Sequence, residues 1–182
     1  MTKIIFLHHS TGEAIWKGET NKYIYKLTRK GDVQKYFEAY NQKNKTDYEI
    51  KAMNFPKNSP YGWNNYPFDY YNIWVKNAGN RPYIEEPTLE MLTAENDVII
   101  FKHCFPVSRI VPDTGSPDID SDIKSIENYK LQYEALKNKM HEFKNNKFIV
   151  WTTATNTKIK SKENEALRTR EFYNWMLNDW DI

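Results

Sequence analysis

Three short uninterrupted apolar runs, Ile4-Ile5-Phe6-Leu7, Val98-Ile99-Ile100-Phe101 and Phe148-Ile149-Val150-Trp151, constrain this chain more than any other feature. Each falls far below the ~20 residues that a membrane-spanning helix needs. Each is rich in β-branched or aromatic side chains and lacks polar alternation, the pattern of a strand covered on both faces in a parallel sheet. The runs begin near Lys3, Asp97 and Lys147, and Tyr48-Glu49-Ile50-Lys51-Ala52-Met53-Asn54-Phe55 reads as a fourth strand. Helical patterns lie between them. Asp32 to Asn41 carries Val33, Tyr36, Phe37 and Tyr40 on one face, and Ile126, Tyr129, Tyr133, Leu136 and Met140 step by three and four residues. Asp and Ser residues over Asp118–Asp122 suit the N-terminal end of that second helix. A last helix opening near Ser161 would carry Leu167, Phe172, Trp175, Met176 and Trp180. Strands alternating with helices predict an α/β sandwich with right-handed crossovers.

Composition narrows the partners. Lys+Arg 26 against Asp+Glu 24 leaves a net charge of +2, too little for the basic face that nucleic acid requires. The single cysteine, Cys104, excludes an internal disulfide framework and a cysteine-based zinc cluster. His8, His9, His103 and Asp69 are the residues from which a three-ligand zinc site would be built, but no His-x-x-x-His spacing supports one, and no metal is expected. No glycine-rich phosphate loop occurs, so no nucleotide cofactor is expected either. The 182 residues show no repeat and no linker, which suits one domain over 1–182. The first residues do not form a signal peptide, so the chain as it stands is expected to be cytoplasmic.

Ligands of such sheets bind outside the carboxyl ends of the strands. The first strand runs into His8-His9-Ser10-Thr11-Gly12-Glu13, the second into the loop through Gly62, the third into Lys102-His103-Cys104-Phe105-Pro106 and the fourth into Thr152-Thr153. Ser10 sits at a strand-to-helix turn, where a nucleophilic hydroxyl stands exposed beside free backbone N–H groups. A Ser-Thr-Gly there can equally serve as an N-cap or an anion nest. His8 is expected to pack beside the strand end, and His141 to lie on the surface near a helix terminus. Cys104 is expected to act chiefly as a small buried hydrophobe. Seven aromatic residues among the fourteen from Tyr61 to Trp74 read as a long loop packing its rings over the sheet end.

Phe6-Leu7-His8-His9-Ser10-Thr11-Gly12 followed by Trp16 resembles the first block of the SGNH/GDSL hydrolase superfamily, in a branch where His-His-Ser replaces Gly-Asp-Ser. The runs Tyr66–Val75, Val98–Pro106 and Lys147–Thr152 are similar to that branch too. The resemblance implies a three-layer, flavodoxin-like α/β/α fold, with a mainly parallel sheet in the order 2-1-3-4. It implies ester hydrolysis through Ser10; the small-molecule ester is expected to be an acylated carbohydrate if the rings of the aromatic stretch line the cleft, and no cofactor is expected. Gly62 would supply a second oxyanion donor, and Thr11, Cys104 and His9 would line the substrate site. The family's Asp-x-x-His block is not matched, since no histidine follows His141. On this reading His103 takes over as base and oxyanion donor, because His9 and Ser10, as strand neighbours, would face opposite ways. A last strand and loop are expected to be missing, which would leave the fourth strand as an open edge for self-association. The alternative is an inactive relative that binds a carbohydrate or peptide in the same cleft.

Overall fold

Four parallel strands hold the molecule together: β1 (Thr2–His8), β2 (Tyr48–Asn54), β3 (Val98–Lys102) and β4 (Lys147–Trp151). Their order is β2-β1-β3-β4, as expected for a flavodoxin-like sandwich. The computed structural model describes residues 1–152 and 162–180. The register sets Ile4 beside Ile50 and Val98, and Ile99 beside Phe148, so the apolar runs lie level across the sheet. Successive residues face opposite ways, and each face gathers its own cluster.

On one face Ile4, Phe6 and Ile50 pack under Trp16 of α1 (Thr11–Lys17) and Tyr25 of α2 (Lys22–Thr28). Val33 and Phe37 of α3 (Asp32–Asn44) complete that layer. On the other face Ile5, Leu7, Ile99 and Phe101 meet α4 (Pro67–Tyr71), α5 (Leu89–Glu95), α6 (Ile126–His141) and α7 (Glu163–Asn178). This second cluster is the larger and is dominated by rings. Phe55 stacks on Trp74 at 5.3 Å, and Tyr70 stacks on Phe101 at 5.2 Å.

Several expectations change in detail. The aromatic stretch from Tyr61 is largely helical: α4 continues into a π-helical turn over Asn72–Lys76, and Tyr70, Ile73 and Trp74 are completely buried. Its rings are core, as the packed-loop reading held. The cap of α6 is Ser125, whose hydroxyl accepts from the Asn128 N–H at 3.3 Å, rather than the Asp118–Asp122 run. Those residues form an irregular approach, in which Asp118 N–H donates to Asn128 at 2.8 Å. Two rings of the α3 face are not covered, with Tyr36 76% and Tyr40 53% exposed. The last helix begins at Glu163, and Ser161 and Thr153 lie outside the described residues. Among the described residues no helix is long and apolar enough to cross a membrane.

Candidate active site

β1 stops at His8, and the chain turns sharply before α1. Ser10 takes φ 44° and ψ −99°, an unusual conformation for a residue with a side chain. Such conformations cost about 1–3 kcal/mol and persist only where the surroundings fix them. Here the fixing contacts are visible. Gly12 N–H donates to the His9 carbonyl at 2.8 Å, and Ala14 N–H donates to the Ser10 carbonyl at 3.2 Å. Gly12 is packed so closely on His8 that a Cβ would fall 2.3 Å from the His8 Cβ, which explains the glycine. The Ser10 side chain is exposed, and its hydroxyl makes no cap hydrogen bond, so it is not spent on the helix. Among the described residues nothing accepts from the Ser10 or Thr11 N–H.

Ser10 opens onto a cavity of about 180 Å³, shared with His9, Asn58, Asn64, Asn65 and Cys104. Both His9 and Ser10 line this cavity, whereas as strand neighbours they were expected to face apart. Strand alternation ends at His8, and both residues belong to the turn. His9 is half-buried, and its Nε2 lies on the Pro56 carbonyl. A carbonyl only accepts, so in the neutral ring Nε2 carries the proton and Nδ1 the lone pair.

The far wall comes from the chain after β2. Asn65 adopts the left-handed conformation at φ 57°, and its side-chain amide donates to the Phe55 carbonyl at 2.6 Å. Its own carbonyl accepts the Cys104 N–H at 3.2 Å, which ties this wall to the end of β3. Asp69 holds the wall from behind. Its buried carboxylate accepts the Asn64 N–H at 2.7 Å and is favoured by the nearby N–H groups of Asn65 and Tyr66. Burial outweighs those donors and pushes the carboxyl up to about 7. Neither Asn64, Asn65 nor this role of Asp69 was foreseen. The clue was present, since an Asp in the first turn of a helix beginning with Pro67 is placed to collect preceding N–H groups.

Two expected participants lie elsewhere. His103 is fully buried, edge-on to Tyr70 at 4.5 Å and beside Tyr133 at 5.6 Å, with neither ring nitrogen hydrogen-bonded. Burial pushes it down to about 3. It does not line the Ser10 cavity, so it is placed neither to take the serine proton nor to donate to an oxyanion. Gly62 has the positive φ, 76°, that favours glycine, but its N–H already donates to the Asn58 carbonyl at 2.7 Å and it does not line the cavity. Thr11, expected to line the site, does not line the cavity; its N–H follows that of Ser10 in the turn, and its hydroxyl is buried without a partner. Cys104 is buried and lines the cavity.

His8 is buried against the opposite face, and burial pushes it down to about 4. It is therefore neutral at neutral pH, and its 4.0 Å contact with Glu13 is not an ion pair there. With Glu13, Tyr25, Arg29 and Lys51 it lines a second cavity of about 440 Å³. The three histidines near the strand ends thus occupy three separate environments. Among the described residues no group of three potential ligands converges on a metal position. No family model, curated protein or solved structure matches the chain.

Proposed function

We propose that the chain is a serine hydrolase of the SGNH/GDSL type that cleaves small esters, with Ser10 as nucleophile and His9 as base. One observation carries this reading. An exposed, unspent serine hydroxyl shares a cavity with an imidazole whose other nitrogen is committed to a carbonyl. That commitment fixes the tautomer that accepts a proton, as the orienting partner does in nucleophile–base pairs generally.

Ser10 Oγ attacks the acyl carbon while His9 Nδ1 takes its proton. The carbonyl oxygen becomes an oxyanion and is met by the Ser10 and Thr11 N–H groups. Asn64, whose amide is otherwise held only by a 3.4 Å contact to the Gly62 carbonyl, adds a side-chain donor. His9 returns the proton to the leaving alcohol. Water, deprotonated by the same imidazole, then releases the acid and restores Ser10. The asparagines in the cavity wall, set beside the ring of Trp63, favour an acyl group on a hydroxylated alcohol, such as a carbohydrate, over a lipid.

Hydrolysis of p-nitrophenyl acetate tests this directly. Ser10→Ala is expected to abolish turnover, and His9→Gln to lower kcat by about 10²–10⁴-fold. Turnover that survives Ser10→Ala unreduced overturns the reading. A folded wild type that binds an oligosaccharide and hydrolyses no ester makes the cleft a binding site instead.

A further inference from the structure

Behind His9 lies a buried carboxylate that reaches it through a single peptide group. Glu86 is completely buried, and its Oε1 accepts the Lys57 N–H at 2.7 Å. That N–H and the Pro56 carbonyl belong to the same peptide unit, and the Pro56 carbonyl accepts from His9 Nε2. The order is therefore carboxylate, peptide N–H, peptide C=O, imidazole N–H. Amide resonance couples the two ends of a peptide unit. A carboxylate drawing on the N–H makes the carbonyl a stronger acceptor, and such chains strengthen cooperatively by about 10–30% per bond.

The carboxylate is well fixed. Glu86 closes a tight turn in which Tyr83 and Glu86 exchange backbone hydrogen bonds, both of 2.9 Å, with Ile84 and Glu85 at positive φ. Its Oε2 is buried without a partner, so the Lys57 N–H is its one hydrogen bond among the described residues. The titratable groups that face it are Lys57 across the bond, Glu85 on the turn, and the phenols of Tyr61 and Tyr70. Burial pushes the Glu86 carboxyl up, and of that set only Lys57, by its N–H and its charge, favours the ionised form. Among the described residues no carboxylate bonds to His9 directly.

The geometry points to Glu86 as a positioning residue for His9, acting through the Pro56–Lys57 peptide in the role that a directly bonded carboxylate plays in a catalytic triad. The inference rests on the assignment of His9 as base. When His9 takes the Ser10 proton, the imidazolium forms against a carbonyl polarised by a negative charge one peptide away. A solvent-exposed carbonyl would stabilise that cation less.

Glu86→Gln keeps an acceptor for the Lys57 N–H and removes the charge. Its kcat for p-nitrophenyl acetate is expected to fall about tenfold with KM unchanged, short of the ~10⁴-fold cost of neutralising a directly bonded triad carboxylate. The His9 Nε2–H proton resonance, assigned by its loss in His9→Gln, is expected to move upfield in the same variant. That second readout needs no turnover, so it separates this inference from the hydrolase reading. A folded Glu86→Gln protein with kcat within twofold of wild type, or with the resonance unmoved, overturns the relay. If the Gln variant does not fold, Glu86→Asp serves instead. It keeps the charge but withdraws the oxygen by one methylene, and an upfield shift is again expected, with no shift overturning the relay.

Discussion

His103 and His8 spend their chemistry on the fold rather than on a reaction, and the consequence is measurable. Each is held below the ordinary histidine value of 6.5 by burial, to about 3 and about 4 respectively. The unfolded chain therefore binds more protons than the native one once the pH drops below 6.5. The stability these neutral rings contribute is present above that value and is lost as the pH falls through it towards 4. The loss amounts to a few kcal/mol for each ring, at roughly 1.4 kcal/mol per unit. His103→Phe removes one of the two rings and both of its unpartnered nitrogens. Urea unfolding is expected to show this variant at least as stable as wild type at pH 7, with a smaller loss between pH 6.5 and 4 and with ester hydrolysis unaffected. The sequence placed His103 at a strand end, which is correct, but could not show the chain diving beneath α4 into the 3-10 turn Phe105–Ser108. Ser10 was legible because a turn residue after a central strand has few places to go. His9 was set aside as base because strand alternation was carried past His8, where β1 ends.

Local backbone conflicts mark the elements that carry the site. The turn from Tyr83 to Glu86 has φ 46° at Ile84 and 62° at Glu85. A β-branched residue is strained there, whereas asparagine visits that region readily. Ile84 is half exposed, so little burial is lost by replacing it. Ile84→Asn is therefore expected to stabilise the protein by about 1 kcal/mol, seen as a higher urea midpoint with an unchanged slope. Hydrolysis should be unchanged, because Glu86 keeps its place. The strands were legible at this scale because the apolar runs have no other period to follow, but the expected cover on both faces fails at β4, an edge strand whose Ile149 and Trp151 remain exposed. The cap of α6 was not, because one serine hydroxyl outweighed an Asp-rich stretch and sequence does not show which side chain reaches the N–H. The aromatic stretch gave a sound burial and the wrong element, since rings so dense obscure a helical period.

At the scale of the whole molecule, two unequal layers grip one sheet, and the loops leaving β1, β2 and β3 meet over its carboxyl end. Each wall of that meeting place is anchored from inside: one by Asp69, another by Glu86, the third by the Cys104–Asn65 backbone bond. The space between these walls is only about 180 Å³ and opens to solvent on one side. So little room makes the site a ruler. In a series of p-nitrophenyl esters, kcat/KM is expected to hold from acetate to butyrate and to collapse by octanoate, because each further methylene must find space that three pinned loops do not yield.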